Sequence, residues 1–226
     1  MEVTYYGHSC FLVETGNSKI LFDPFITGNS LASHIDINKI EADYILLSHG
    51  HADHVGDVEA IAKRTGAMIV GPFETVSWFG QKGLEKNHGM NPGGKARFDF
   101  GTVKMVSAIH SSSMPDGSYG GVATGFVIET AEKTFYYSGD TALTTDMRLI
   151  KDRYKLDFAF LCIGDTFTMD IEDAVVAAEY TGTSKIIGMH YNTFPVIELD
   201  AAYAQQVAQK AGKELVLFEI GQTIKL

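Results

Sequence analysis

The run LLSHGHADHVG, Leu46 to Gly56, decides how this chain is read. It carries three of the eight histidines and an aspartate in the pattern H-x-H-x-D-H: His49, His51, Asp53 and His54. The apolar residues before it, YILL, have the signature of a buried strand, and the DVEAIAKRTG that follows reads as a helix. A strand-to-helix turn projects His49 and His51 towards one point, while the adjacent Asp53 and His54 serve a second point beside it. Neutral imidazole and carboxylate are the ligands that a borderline cation such as Zn²⁺ takes at about 2.0–2.2 Å, and the run has no thiolate, which points away from a Cys-rich structural zinc site. One short loop thus seeds two metal sites. The competing reading is a polar surface loop with chance histidines; rigid elements on both flanks favour a built site.

Three later segments extend the pattern, each closing an apolar, strand-like run: VKMVSAIH ends in His110, FYYSGD ends in Asp140, and KIIGMHY contains His190. A glycine before Asp140 lets the backbone turn sharply and leaves the carboxylate at the strand's end. Taken singly, each residue has a plainer reading. Asp140 would cap the helix-like TALTTDMRLIKDRY, His110 would be a polar strand-end residue, and His190 a satisfied core histidine. Taken together and in this order, the segments resemble the metallo-β-lactamase superfamily. That resemblance implies an α/β fold, a four-layer αβ/βα sandwich. It also implies that His49, His51 and His110 hold a first metal, that Asp53, His54 and His190 hold a second, and that Asp140 bridges them. The implied cofactors are two divalent metal ions, Zn or Mn.

Within the superfamily, GHSCF (7–11), LFDPF (21–25), SHGHADH, GDT and MHYNTFP look most like the bacterial and archaeal metal-dependent hydrolases related to ascorbate-phosphate lactonase, over nearly the whole chain. The resemblance places His8 close to the metals, where it would bind substrate or stabilise a developing oxyanion; otherwise it is a turn histidine. It gives Asp23 a hydrogen bond to a metal-ligating histidine, the contact that fixes tautomer and ring orientation. Gly164, Asp165 and Thr168 lie on a strand-to-helix loop expected to face the cleft, although Thr168 and Asp170 also read as helix caps. Asn192 and Thr193, just after His190, are further candidates for substrate contact. His34 and His88 lack motif support and read as surface residues. Ser48 stands where a threonine is common. Di-iron oxygen-reducing relatives carry a glutamate where this chain has His51, which favours hydrolytic Zn or Mn chemistry.

A chain of 226 residues, 45 % of them apolar, is enough for one α/β domain over residues 1–226 with a substantial core, so a metal would be catalytic rather than a staple for a small fold. A net charge of −10 disfavours nucleic acid as a partner, since that binding draws on clustered Lys and Arg. No apolar run approaches the roughly 18–20 residues that span a bilayer, and MEVTYYGHSCF has no basic region followed by a hydrophobic stretch. A cytoplasmic location with no membrane partner is expected. Cys10 and Cys162 sit in apolar surroundings and read as buried thiols, not a disulfide framework. Edge strands and apolar helices would permit a homo-oligomer, and nothing in the sequence decides it.

A coarse pass places strands at 2–6, 10–15, 19–23 and 44–49, a helix at 55–65, a strand at 67–71 and a helix over 73–83. Strands follow at 95–100 and 103–109. After the Gly- and Ser-rich stretch 111–121, a mobile access loop or a plain connector, come strands at 121–130, 133–139, 157–164, 185–191 and 214–220. Helices are expected at 143–153, 171–181 and 198–211. Each half runs as a meander and then as strands alternating with helices; periodicity alone gives α/β.

Two cations about 3.5–4 Å apart can share a water, lower its pKa and present hydroxide near pH 7 while polarising the oxygen of the group under attack. Asp53 would both ligate and orient that water. The expected function is hydrolysis of a small ester, lactone or phosphodiester, with a small-molecule substrate as the partner. The alternatives are a redox or thioester enzyme of the glyoxalase or persulfide-dioxygenase type, and a metal-binding module without turnover.

Overall fold

The computed structural model describes residues 1–226 and contains two seven-stranded sheets. The first sheet opens with an antiparallel meander of β1 (Glu2–Gly7), β2 (Cys10–Thr15) and β3 (Ser18–Phe22). It continues in parallel through β4 (Tyr44–Leu46), β5 (Met68–Pro72) and β6 (Asn87–Met90). Helices α1 (Ala52–Val55), α2 (Val58–Thr65) and α3 (Phe73–Gln81) make its crossovers. The second sheet repeats the plan. Strands β7 (Lys95–Phe98), β8 (Gly101–Ser107), β9 (Thr124–Glu129) and β10 (Thr134–Tyr137) are antiparallel neighbours. Parallel strands β11 (Phe158–Cys162), β12 (Lys185–Met189) and β13 (Glu214–Val216) follow, each preceded by a helix: α4 (Arg148–Lys151), α5 (Ile171–Thr181) and α6 (Ala201–Lys210). The last strand, β14 (Thr223–Lys225), crosses back and pairs with β1. The result is the αβ/βα sandwich.

Side-chain alternation builds the layers. Along β3, Ile20 and Phe22 point into the space between the sheets, while Leu21 joins the layer under α2 and α3; along β4, Tyr44 and Leu46 alternate with Ile45 in the same way. The inter-sheet core is aromatic. Phe11 meets Phe160 with ring centroids 4.6 Å apart, Phe22 stacks on Tyr137 at 4.6 Å, and Phe135 stacks on Phe158 at 5.0 Å. The outer layer of the first sheet is a separate aliphatic cluster containing Leu21, Ile45, Ile61, Ile69, Val76 and Phe79.

The departures from the sequence-based elements have local causes. The helix expected at 55–65 is interrupted between α1 and α2, where the Asp57 carboxylate accepts hydrogen bonds from the backbone N–H groups of Ile26 and Thr27 and so pins the loop after β3. The helix expected at 143–153 shrinks to a 3₁₀ turn and the short α4. Asp200 caps α6, which delays it to residue 201. Strands β6 and β14 are edge strands with mostly exposed residues, so their sequences lack the apolar alternation that marks the others. The 111–121 segment is tied down: Ser113 and Tyr119 form a β-bridge, and Trp78 Nε1 donates to Asp116 at 2.8 Å.

Phe160 is fully buried between the sheets, against Phe11, Phe135, Phe158 and Tyr137. Phe160→Ala is expected to cost about 3–5 kcal/mol in urea unfolding, as large-to-small changes of aromatic core residues do. A loss below about 1 kcal/mol would mean that the inter-sheet layer is not the main core.

Candidate metal centre

The residues singled out in the sequence meet at one end of the sandwich, beyond the carboxyl ends of the strands. Asp23 follows β3, His49 to His54 follow β4, His110 lies just past β8, Asp140 past β10 and His190 past β12. Open α/β sheets place ligands at this end because the loops there diverge and leave a crevice.

Two groups of donor atoms form. In one, ligand atoms of His49, His51 and His110 all lie within 4.8 Å of one another; in the other, those of His8, Asp53, His54 and His190 do so. Asp140 lies between the groups. Its Oδ2 is 2.9 Å from His190 Nε2, 3.2 Å from His54 Nε2, 3.6 Å from His110 Nε2 and 4.0 Å from His49 Nε2. Asp140 caps no helix; Thr144 caps the turn that follows. The buried atoms Asp140 Oδ1, His54 Nε2 and His190 Nδ1 have no hydrogen-bond partner in the protein. Unpaired polar atoms this deep are costly; of the three, His54 Nε2 faces Asp140 Oδ2, and a nitrogen among other imidazoles around a carboxylate suits a divalent cation as its partner.

Asp23 organises the histidines from behind. It is fully buried, and its carboxylate accepts from Ser48 N (2.8 Å), Ser48 Oγ (2.6 Å), His54 Nδ1 (2.8 Å) and the Tyr137 hydroxyl (2.8 Å). The hydrogen bond to His54 is the one expected of Asp23. Because the Ser48 hydroxyl donates to Asp23, its oxygen is left to accept from His49 Nδ1 at 2.9 Å. Both imidazoles therefore present Nε2 forwards. The sequence reading noted Ser48 only as a stand-in for threonine and passed over Tyr137; the signal for both was their place on or beside strands whose inward faces converge on Asp23.

His8 occupies a different place from the one expected of it. Its side chain has no exposed surface; Nε2 lies 3.1 Å from Asp53 Oδ2, and Nδ1 lies 2.9 Å from Thr193 Oγ1. Burial lowers its pKa to about 4, against the opposing pull of Asp53, so the ring is neutral at pH 7. A neutral ring beside an acceptor-only carboxylate carries its proton on Nε2 and accepts from Thr193 at Nδ1. His8 thus sits behind Asp53, hydrogen-bonded to its carboxylate. Thr168 and Asn192 also fall outside the cavity, which is lined by His51, Asp53, His110, Ser111, Asp140, Phe167 and His190. The Asn192 side-chain oxygen accepts from Leu199 N at 2.7 Å and holds its own loop, while Asp170 caps α5. Phe167, unremarked in the sequence, stands in the cavity wall where Thr168 was expected. His34 and His88 are exposed, as anticipated.

Burial drives the His49 pKa well below the ordinary imidazole value, with neighbouring His54 adding to the effect. Burial also works against a charged His54, but Asp140 and Asp23 outweigh it and hold that pKa well above the ordinary value. For Asp140 and Asp53, burial favours the neutral carboxyl, and the facing histidines reverse this, keeping both ionised. Two glycines make room for the arrangement. A Cβ on Gly164 would meet the His190 carbonyl oxygen at 1.9 Å, and Gly139, at φ +59°, would press on Ser48 and Thr124.

Tyr137→Phe removes the hydroxyl whose single proton lies between two acceptors, Asp23 Oδ2 and the Ser9 carbonyl, each at 2.8 Å. A loss of about 1.5–3 kcal/mol is expected in urea unfolding of the metal-free protein; an unchanged midpoint would show that Asp23 does not need the tyrosine.

Residues 18–191 match the β-lactamase superfamily domain. A UPF0173 metal-dependent hydrolase of Flavobacterium johnsoniae is 52 % identical over all of both chains, and the Bacillus subtilis protein YtkL, of the same description, is 46 % identical over all of both. Among solved structures, Igni18, a metallo hydrolase of the archaeon Ignicoccus hospitalis, superposes with a TM-score of 0.89 at 35 % identity, covering 99 % of this chain and 97 % of its own. No helix is long and apolar enough to cross a membrane. The chain belongs to the metallo-β-lactamase superfamily and, within it, to the UPF0173 metal-dependent hydrolases.

Proposed function

We propose that this metal-dependent hydrolase works with two divalent cations, Zn or Mn, on a small ester, lactone or phosphodiester, and that residues 1–226 act as one domain. His49, His51 and His110 would hold one cation, Asp53, His54 and His190 the other, with Asp140 shared. The observation that carries this reading is the Asp140 Oδ2, within 4.0 Å of four imidazole nitrogens drawn from both groups. Bound there, the cations would supply Lewis-acid polarisation and a water of lowered pKa.

The chain's own residues supply the rest. Asp23 and Ser48 fix the tautomers of His54 and His49, so that neither ring must reorient to bind. His8 holds the Asp53 carboxylate through Nε2–H, leaving its other oxygen to accept a hydrogen bond from the attacking water. For an ester or lactone, the water oxygen bonds to the acyl carbon as the carbon–oxygen bond to the leaving group breaks. One water proton ends on the leaving alkoxide, giving an acid and an alcohol with no change of oxidation state. Asp53, hydrogen-bonded by His8, would orient that water.

Elemental analysis of the purified protein is expected to give about two equivalents of metal, about one in His49→Ala or His190→Ala, and less than one in Asp140→Ala. One equivalent in the native chain, or full content in Asp140→Ala, would overturn the shared-carboxylate reading. Proton release gives a second check. Asp140 and Asp23 raise the His54 pKa and so favour its charged form in the metal-free chain, whereas a ligating imidazole must be neutral, so loading is expected to displace that proton. Titration calorimetry of Zn²⁺ into the metal-free protein should therefore give heats that depend on the buffer's ionisation enthalpy at pH 7; buffer-independent heats would count against a charged His54.

A further inference from the structure

The cavity in front of the metal centre has a volume of about 340 Å³, and its wall contains histidines, two carboxylates, one serine and one aromatic ring. None of the chain's 18 lysines and arginines lines it. The chain as a whole carries a formal charge of −10. An anionic group on the substrate, held away from the proposed cations, would find no lysine or arginine among the lining residues to pair with.

The wall and mouth offer apolar surface instead. Phe167 lines the cavity yet is 53 % exposed; Ile109, next to His110, is 56 % exposed, and Val196 is 57 % exposed. The last two are not in the cavity wall but are tied to residues adjoining it. Thr141 Oγ1 accepts from Ile109 N at 3.0 Å, one residue after Asp140, and the Thr166 hydroxyl donates to the Val196 carbonyl at 2.8 Å, one residue before Phe167. The Phe167 ring is held out by a strained turn: Asp165 and Thr166 have φ of 62° and 56°, consecutive left-handed residues neither of which is glycine. Strain of this kind persists where the surrounding structure imposes it, and it gathers at ligand-binding sites.

We infer that the site selects compact, uncharged carboxylic esters or lactones bearing an apolar substituent, which packs on Phe167 with Ile109 and Val196 at the rim. This rests on the hydrolase reading above and narrows it. The lining offers Ser111 and imidazoles as hydrogen-bond partners but no lysine or arginine. Phe167 is the specificity-determining residue, and it reaches substrate where the expected Thr168 does not.

The test is steady-state kinetics of the metal-loaded protein on a lactone series with a constant reacting ring: unsubstituted, hexyl-substituted, and carrying a carboxylate or phosphate. The hexyl lactone is expected to exceed the unsubstituted one in kcat/KM by about tenfold, and the anionic members to fall at least tenfold below it. Phe167→Ala should collapse the hexyl preference, mainly through KM, and Phe167→Leu should restore most of it. The Phe167 side chain is exposed, so both variants are expected to fold. Turnover of the anionic members as fast as the hexyl lactone overturns the proposed substrate class and leaves the hydrolase reading standing. An unchanged hexyl preference in Phe167→Ala overturns the role of the ring. Metal-loaded protein that turns over no lactone yet cleaves an aryl phosphodiester overturns the proposed substrate class and leaves the hydrolase reading standing.

Discussion

One buried carboxylate, Asp23, holds the site and the fold in a single arrangement. It is placed by β3 of the first sheet, yet the Tyr137 hydroxyl reaches it from β10 of the second, so the two sheets are joined by a hydrogen bond beside the histidines. The same carboxylate binds His54 directly and His49 through Ser48. A charge with no solvent exposure is tolerable only when its lone pairs are fully used, and four donors meet that condition. Sheet packing, tautomer choice and ring orientation are therefore not separate problems in this protein.

The backbone shows where the arrangement is strained. All six non-glycine residues with positive φ lie in or beside loops around the centre: His8, Asp23, Asp165, Thr166, His190 and Asn192. Left-handed conformations at such residues cost of order 1–3 kcal/mol each. The aromatic layer between the sheets offsets that cost, and metal binding to the folded chain alone adds stability that grows with the logarithm of its affinity. The two terms do different work, since the core fixes where the strand ends lie and a cation suits the partnerless His54 Nε2.

Much of this was legible in the sequence, and what was missed has physical causes. The H-x-H-x-D-H run, His110, Asp140 and His190 carry a pattern because donors must leave short loops at fixed offsets from buried strands; the structure gathers all of them. The alternation of strands and helices showed because buried strands must be apolar. Edge strands β6 and β14 lack that requirement and left no signal. His8 was placed near the centre, but its contacts with Asp53 and Thr193 were not legible, because a motif gives proximity and not direction. Thr168 and Asn192 are not among the cavity-lining residues; polar residues on a loop serve the loop's own backbone as readily as a ligand. Phe167 was overlooked because an aromatic ring in a polar loop reads as core until its exposure is known.

The central claim is that a single carboxylate, Asp140, draws two histidine groups around two cations. Anomalous diffraction from crystals of the metal-loaded protein, recorded on either side of the absorption edge of the bound metal, tests it most directly. The account predicts two peaks about 3.5–4 Å apart, both in contact with the Asp140 carboxylate, one beside His49, His51 and His110 and the other beside Asp53, His54 and His190. A single peak, or two peaks of which one lies away from Asp140, would contradict it.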